Sequence, residues 1–279
     1  MKDVATIILT RNLPQVANRL YETFERQNNG ETDIYVVESG TDRELLSDHY
    51  TSWANWDEAI RDGLRYPRGF NFGLLRLLHE AKFSHYDYFL LVCNDVAFTE
   101  PLVPILLDEI KRHPRVGILS PCSVHWPERH QMPENSTRYF WHINHVIWMV
   151  RREFVETIME RVNPTYMNLL YDGHNFRGYC ADLELVIKGY VNEYATAVTT
   201  RVCFEETSLL RDQANLIRTD PLTVNERQTL EEGREWMRRK YGFTTRAQMH
   251  IYARQFYDRF FGLYPMLESL RGDGLRREG

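Results

Sequence analysis

Three short polar runs stand where apolar runs stop: Thr10-Arg11-Asn12, Glu38-Ser39 and Asn94-Asp95. In an open α/β sheet, the carboxyl ends of the strands are the first place a ligand is held. Asp95 follows the most apolar of these runs, Tyr86 to Cys93. A strand-end carboxylate offers Mg2+ or Mn2+ the hard oxygen that either ion prefers. No glycine-rich turn follows the first strand, and no glycine run leads into Lys-Ser or Lys-Thr. A dinucleotide fingerprint and a phosphate-binding loop are therefore both missing. A nucleotide on this sheet would have its phosphates met by a metal rather than by a helix cradle. His142 and His145 suggest a metal by residue type, but on a strand an i, i+3 pair points to opposite faces. The four cysteines, Cys93, Cys122, Cys180 and Cys203, form no CxxC pair, which favours reduced thiols over a zinc or redox motif.

The elements that must position these residues alternate. Val4 to Leu9, Asp33 to Glu38, Tyr86 to Cys93 and Val116 to Leu119 are short apolar runs of the kind buried in a parallel sheet. Leu13, Val16, Ala17, Leu20, Tyr21 and Phe24 share one helical face, and Pro101 to His113 reads as a helix with proline near its start. Ser120 to Arg138 reads as a long loop. Phe140 to Val150 reads as a strand, Arg152 to Val162 as a helix and Tyr166 to Cys180 as a loop. Asp182 to Lys188 is a helix and Ala195 to Phe204 a strand. Arg227 to Lys240 and Thr245 to Phe261 are helical and rich in arginine and aromatics, and Asp273 to Gly279 is a frayed tail. Strands alternating with helices predict a mainly parallel central sheet flanked by helices.

The order VATIILTRN, DIYVVESGTD, RGFNFGLLRLL, DYFLLVCNDVAF resembles glycosyltransferase family 2 and its GT-A relatives. Gly178 to Leu185 is similar to the Glu-Asp segment that opens a helix near the acceptor in that family. Trp236 to Gly242 is similar to its Trp-x-x-Lys-aromatic-Gly signature. Each motif alone is weak; their order is the signal. The resemblance implies a GT-A fold and transfer of a sugar from a nucleotide-diphosphate donor to a hydroxyl acceptor, as in glycan or polysaccharide biosynthesis. It also implies inversion and a divalent metal. On that resemblance Thr10, Arg11 and Asn12 line the nucleotide pocket, Glu38 meets the base or ribose, and Arg68, Gly69 and Asn71 form the next wall. Asn94 stands where many relatives have another Asp, Asp95 binds the metal, and Asp182 is the general base. Ala181 replaces the usual Glu. Where relatives carry a metal-binding His after the last strand, this chain has Val202-Cys203-Phe204-Glu205-Glu206, so Glu205 or Glu206 would substitute.

Bulk composition bounds the alternatives. At 279 residues and 43% hydrophobic the chain buries a substantial core, read as a catalytic domain over 1–206 and a helical extension over 207–279. A net charge of −5 speaks against a general nucleic-acid binder. A strand beginning at Val4 leaves no signal sequence, and no run is long enough to span a bilayer. A cytoplasmic protein is expected, with membrane contact at most peripheral, at the inner face. The arginine-aromatic helices would either lie on a membrane surface or pack back on the catalytic domain; Glu231, Glu232 and Glu235 among the arginines favour packing. Trp126, in a proline-flanked loop, is a candidate acceptor contact. Two rivals remain: a catalytically degenerate partner that binds nucleotide sugar or glycan, and a sugar nucleotidyltransferase. Asp95 as a turn cap and Asp182 as a helix N-cap are the plain structural readings.

Overall fold

The computed structural model describes residues 2–28, 30–143, 146–207 and 221–272. Its centre is β1 (Val4–Thr10), whose seven residues are all buried. β1 pairs in parallel with β2 (Thr32–Glu38) on one side and β4 (Tyr88–Cys93) on the other. β3 (Tyr50–Trp53) extends the sheet beyond β2. Past β4 come β8 (Ile147–Arg151), antiparallel to both its neighbours, then β6 (Val116–Ser123) and β9 (Ala195–Glu206). The short β7 (Thr137–Tyr139) and β5 (Val96–Ala97) pair antiparallel with β9. The resulting order, β3-β2-β1-β4-β8-β6-β9-β5, is a mixed sheet with one reversed strand near its middle.

Helices cover the sheet. α1 (Pro14–Gln27) starts with proline, whose fixed φ suits a first turn, and buries Ala17, Leu20 and Phe24. α2 (Asp57–Asp62) is short. α3 (Arg65–His79) lies so close on β1 that a Cβ on Gly69 would sit 2.5 Å from the Leu9 side chain. α4 (Leu102–Arg112), α5 (Arg152–Ile158) and α6 (Ala181–Val191) complete the main layers. α7 (Leu222–Tyr241) ends at Gly242 in the left-handed conformation, and α8 (Arg246–Leu263) opens on a Thr245–Gln248 capping box.

Four expectations are corrected. The strand expected over Phe140 to Val150 begins only at Ile147; 141–143 is irregular, so His142 does not sit on a strand, and His145 lies outside the described residues. The helix from Arg152 stops at Ile158, well short of Asn163, which takes a left-handed φ before Pro164. The long loop from Ser120 instead contains the end of β6, a 3-10 turn over Pro127–Gln131 and β7. Trp126 is buried, with its ring edge-on to Phe140 at 4.7 Å, which leaves it no open face for a sugar. The expected tail from Asp273 lies outside the described residues.

The C-terminal helices pack back on the sheet. Tyr257, Phe260 and Phe261 of α8 join the main core, and Tyr257 Oη donates to the Tyr139 carbonyl at 3.0 Å. Trp236 and Met237 of α7, with Met249 and Ala253 of α8, bury Leu183 and Ile187 of α6. No described helix is long and apolar enough to cross a membrane. A charged clamp adds to this packing: Lys240 Nζ lies 2.6 Å from Asp172 Oδ2 and 2.6 Å from Glu184 Oε1. Trp236 Nε1 donates to the same Asp172 oxygen at 3.0 Å. Burial raises the proton affinity of Asp172, yet Lys240 and Trp236 outweigh it and hold this carboxyl well below the usual range. Glu184 is only 1% exposed, so removing Lys240 would leave a buried carboxylate with the Tyr241 hydroxyl at 2.8 Å and, among the described residues, no cation nearer than Lys188 at 3.9 Å. Lys240→Met should therefore cost about 3 kcal/mol in urea denaturation. Adding Glu184→Gln should recover part of it, and a loss below about 1 kcal/mol would show the clamp to be a solvated pair.

Candidate functional site

Register places the candidate residues on one edge. Thr10 pairs with Glu38, and Leu9 pairs with both Val37 and Cys93, so β1, β2 and β4 end level. Arg11-Asn12, Ser39 and Asn94-Asp95 leave the sheet side by side. Asn94 Nδ2 donates to Thr10 Oγ1 at 2.9 Å, tying the two turns together.

Several expected residues spend their side chains on this scaffold. Glu38 is fully buried; Thr41 Oγ1 donates to Oε2 and the Ser47 N–H to Oε1 at 2.9 Å, so both oxygens serve its own loop. Asn12, in the left-handed region at φ 53°, receives the Asp42 N–H on Oδ1 at 2.8 Å. Arg11 reaches the carbonyls of Ile60, at 2.8 Å, and Gly40, at 3.3 Å. Asn71 lies inside α3. Its amide donates to the carbonyls of Tyr166 and Tyr171, and its oxygen accepts from the N–H groups of Leu170 and Tyr171, all within 2.9 Å. Arg68 donates to the Gly173 carbonyl at 2.8 Å, pairs with Glu58 at 3.0 Å and stacks over Phe176. Gly69 is the close approach of α3 to Leu9. These contacts pin the 166–176 loop over the sheet edge.

Asp95 is different. It is no helix cap, because α4 starts seven residues later from Pro101 without a side-chain cap. Its Oδ1 is buried and has no hydrogen-bond partner among the described residues. Burial first, and Glu206 second, push its carboxyl up to about 6. Glu206 arrives on the end of β9, whose Glu206 and Glu205 pair with Val96 and Ala97 of β5. The Thr207 N–H then donates to the Asp95 carbonyl at 2.8 Å. Keeping this carboxylate ionised at neutral pH costs about 3 kcal/mol, more than the roughly 1 kcal/mol a capping Asp returns. Local structure does not account for that cost. An orphaned buried oxygen beside a second carboxylate is a donor set that fits a hard divalent cation. Among the described residues, however, no cluster of three His, Cys, Asp or Glu side chains forms.

Asp182 sits in the first turn of α6, two residues past Cys180, which holds a left-handed φ of 59°. Cys180, not Asp182, is the N-cap. Burial raises the Asp182 proton affinity, while the helix-start N–H groups, Arg246 and His142 lower it, leaving it above the usual range. Tyr66 of α3 meets Tyr171 edge-on at 5.7 Å, and burial raises both hydroxyls well above their ordinary value, with Asp182 adding to the shift of each. Tyr66 Oη donates to the Gly178 carbonyl at 2.7 Å. Gly178 takes φ +76°, and a Cβ there would lie 2.2 Å from the Tyr66 ring. Sequence spacing gave no hint of Tyr66 or Tyr171. Their hydroxyls belong to the site only because α3 and the 166–180 loop fold over the same edge.

No protein-family model matches the chain, and no curated protein matches it in sequence. Solved structures do match. GalNAc-T7, crystallised with UDP, GalNAc and Mn2+, superposes with a TM-score of 0.58 at 7% identity, over 95% of this chain and 58% of its own. S. aureus TarS superposes with a TM-score of 0.51 at 13% identity, over 89% of this chain and 45% of its own. The chain thus spans about half the length of either glycosyltransferase. Identities this low speak to architecture alone. The level carboxyl edge, the reversed β8 and the β5–β9 ribbon beside Asp95 are, together, a GT-A-like glycosyltransferase fold.

Proposed function

We propose that this protein is a metal-assisted glycosyltransferase, moving a sugar from a nucleotide-diphosphate donor to a hydroxyl of a glycan or other acceptor with inversion. The reading takes 1–206 as the catalytic unit and 207–279 as an extension packed against it. The observation that carries it is the buried, unpartnered Asp95 Oδ1 beside Glu206, at the strand edge of this fold. That a protein of like fold, GalNAc-T7, was crystallised with UDP, GalNAc and Mn2+ supports the same ligand classes here.

Asp95, with Glu206, would hold Mn2+ or Mg2+, which when bound neutralises charge building on the leaving diphosphate. Thr10, Arg11 and Asn12, with Asn94, wall the nucleotide side of the edge. Glu38, Gly69, Asn71 and Arg68 act behind them, fixing the loops that make the walls. Asp182 accepts the proton of the acceptor hydroxyl as its oxygen attacks the anomeric carbon. A raised proton affinity suits that task, because a stronger base takes the proton further in the transition state. Tyr66 and Tyr171 exclude water between the two carboxylates.

Three outcomes are expected. Asp95→Ala should abolish Mn2+-dependent turnover of a panel of UDP- and GDP-sugars, and unchanged metal-dependent activity would sink the assignment. Asp182→Asn should lower kcat about 10²- to 10⁴-fold while leaving UDP or GDP affinity in place; a loss confined to affinity would move Asp182 to a binding role. The third is a pH dependence. The native state binds the Asp95 proton more tightly than the unfolded chain, so this stabilisation is full below the ordinary carboxylate range and lost as pH rises through about 6. Asp95→Asn should therefore stabilise the metal-free protein by about 3 kcal/mol at pH 7.5 and by nearly nothing at pH 4. Mn2+ with UDP or GDP should raise the thermal midpoint of the wild type at pH 7.5, and not that of Asp95→Asn. Equal responses in both would place the metal elsewhere.

A further inference from the structure

Two cysteines far apart in sequence meet across the sheet. β6 and β9 run parallel, and past the bulge their register resumes with Cys122 opposite Cys203 and Ser123 opposite Phe204. Neighbouring strands lie about 4.8 Å apart, inside the roughly 4.4–6.8 Å that separates the Cα atoms of a disulfide. Directly paired residues of parallel strands present their side chains on the same face, so the two sulfurs are neighbours. All four cysteines are free thiols, and the other two belong elsewhere: Cys93 stands opposite Leu9 and Cys180 at the start of α6.

The paired thiols differ in access. Cys122 is fully buried, one strand further into the sheet. Cys203 is half-buried and lines a cavity of about 780 Å3, together with Phe98, Arg129, His130 and Arg201. Burial pushes the Cys122 thiol up to about 12, and Cys203 adds to the shift. Burial also raises the Cys203 thiol, against the pull of Arg129. Small apolar fillers are the plain alternative for both residues. That role suits Cys122, but Cys203 stands in the wall of an open cavity among cations. A shared metal is not built either, since among the described residues no group of three His, Cys, Asp or Glu forms.

We propose that Cys122 and Cys203 are a redox-active dithiol, which a small disulfide entering the cavity closes to a cross-strand disulfide. The Cys203 thiolate attacks one sulfur of the incoming disulfide, forming a mixed disulfide and releasing one small thiol. Cys122 loses its proton, attacks the Cys203 sulfur and expels the second small thiol. Two protein thiols are oxidised, one small disulfide is reduced, and both protons end on the released thiols. Parallel side chains keep the Cβ atoms near the strand spacing, wider than the about 3.8 Å a relaxed bridge prefers, so the bond is readily reduced again. The bridge closes just before the strand end that pairs Glu205 and Glu206 with β5. Oxidation therefore clamps that strand end to β6. Neither step rests on the proposed sugar transfer.

The test uses the full chain, shown to be folded by circular dichroism. It is incubated with glutathione disulfide, alkylated, and followed by intact and peptide mass spectrometry. Wild type should lose two of its four thiols, carry no glutathione, and yield a peptide cross-linked between Cys122 and Cys203 that dithiothreitol releases. Cys122→Ala should instead keep one glutathione on Cys203, because no second thiol expels it, and Cys203→Ala should leave Cys122 reduced. Hydrogen exchange across 199–207 should slow on oxidation and recover on reduction. A folded wild type that retains both thiols, or that keeps glutathione on Cys203, overturns the dithiol. Unchanged exchange in the cross-linked protein overturns the clamp.

Discussion

The site depends first on register. β1 pairs in step with both β2 and β4, so Thr10, Glu38 and Cys93 end level, and everything that follows them emerges on one edge. A slip of one residue would exchange the two faces of β1, and with all seven residues buried every side chain would then meet packing built for the opposite face. The Asn94–Thr10 hydrogen bond locks the same alignment beyond the ladder. Position of the chemistry is thus a consequence of burial in the sheet, not of the polar residues themselves.

The second constraint is the bend in β9. Its register on β6 jumps, with Pro121 opposite Thr199 and Cys122 opposite Cys203. Pro121 has no N–H to give to the ladder, and the surplus residues of β9 carry that strand out of the main sheet. Arg201, inside the surplus, is held by Asp108 at 2.6 Å and by the buried Glu109 at 2.5 Å, which anchors the bulge to α4. The strand that leaves this bulge delivers Glu206 to Asp95. Two carboxylates brought together by a built bend repel each other, and Glu206 thereby adds to the burial that raises the proton affinity of Asp95.

Much of this was legible beforehand. The apolar runs gave the strands and their order of polar ends, because a buried parallel strand has little freedom in composition. Asp95 stood out at a strand end, and Glu206 entered only together with Glu205, in place of the His that the resemblance implies. What the sequence could not carry was the use of each polar group. Glu38 and Asn71 look like ligand contacts in a linear reading, yet Asn71 is bonded only to backbone groups, and Glu38 to one backbone N–H and the Thr41 hydroxyl of its own loop. The start of β8 was missed because Phe140 to Ile143 is as apolar as a strand while serving as a wall for Trp126.

The packing of the C-terminal helices bears on what holds α6 in place. α6 carries Asp182, and it also carries Leu183, Ile187 and Glu184, whose burial comes from α7 and α8. Without those helices the apolar side of α6 would face water and Glu184 would lose both Lys240 and the Tyr241 hydroxyl, which donates to it at 2.8 Å. Asp182 stands one residue before Leu183 and two before Glu184, and Cys180, two residues before it, is held in a left-handed conformation that packing must enforce. The sheet alone fixes the Asp95 side of the edge. The Asp182 side is fixed from outside, by helices that follow the sheet in sequence, so the two halves of the site answer to different parts of the chain.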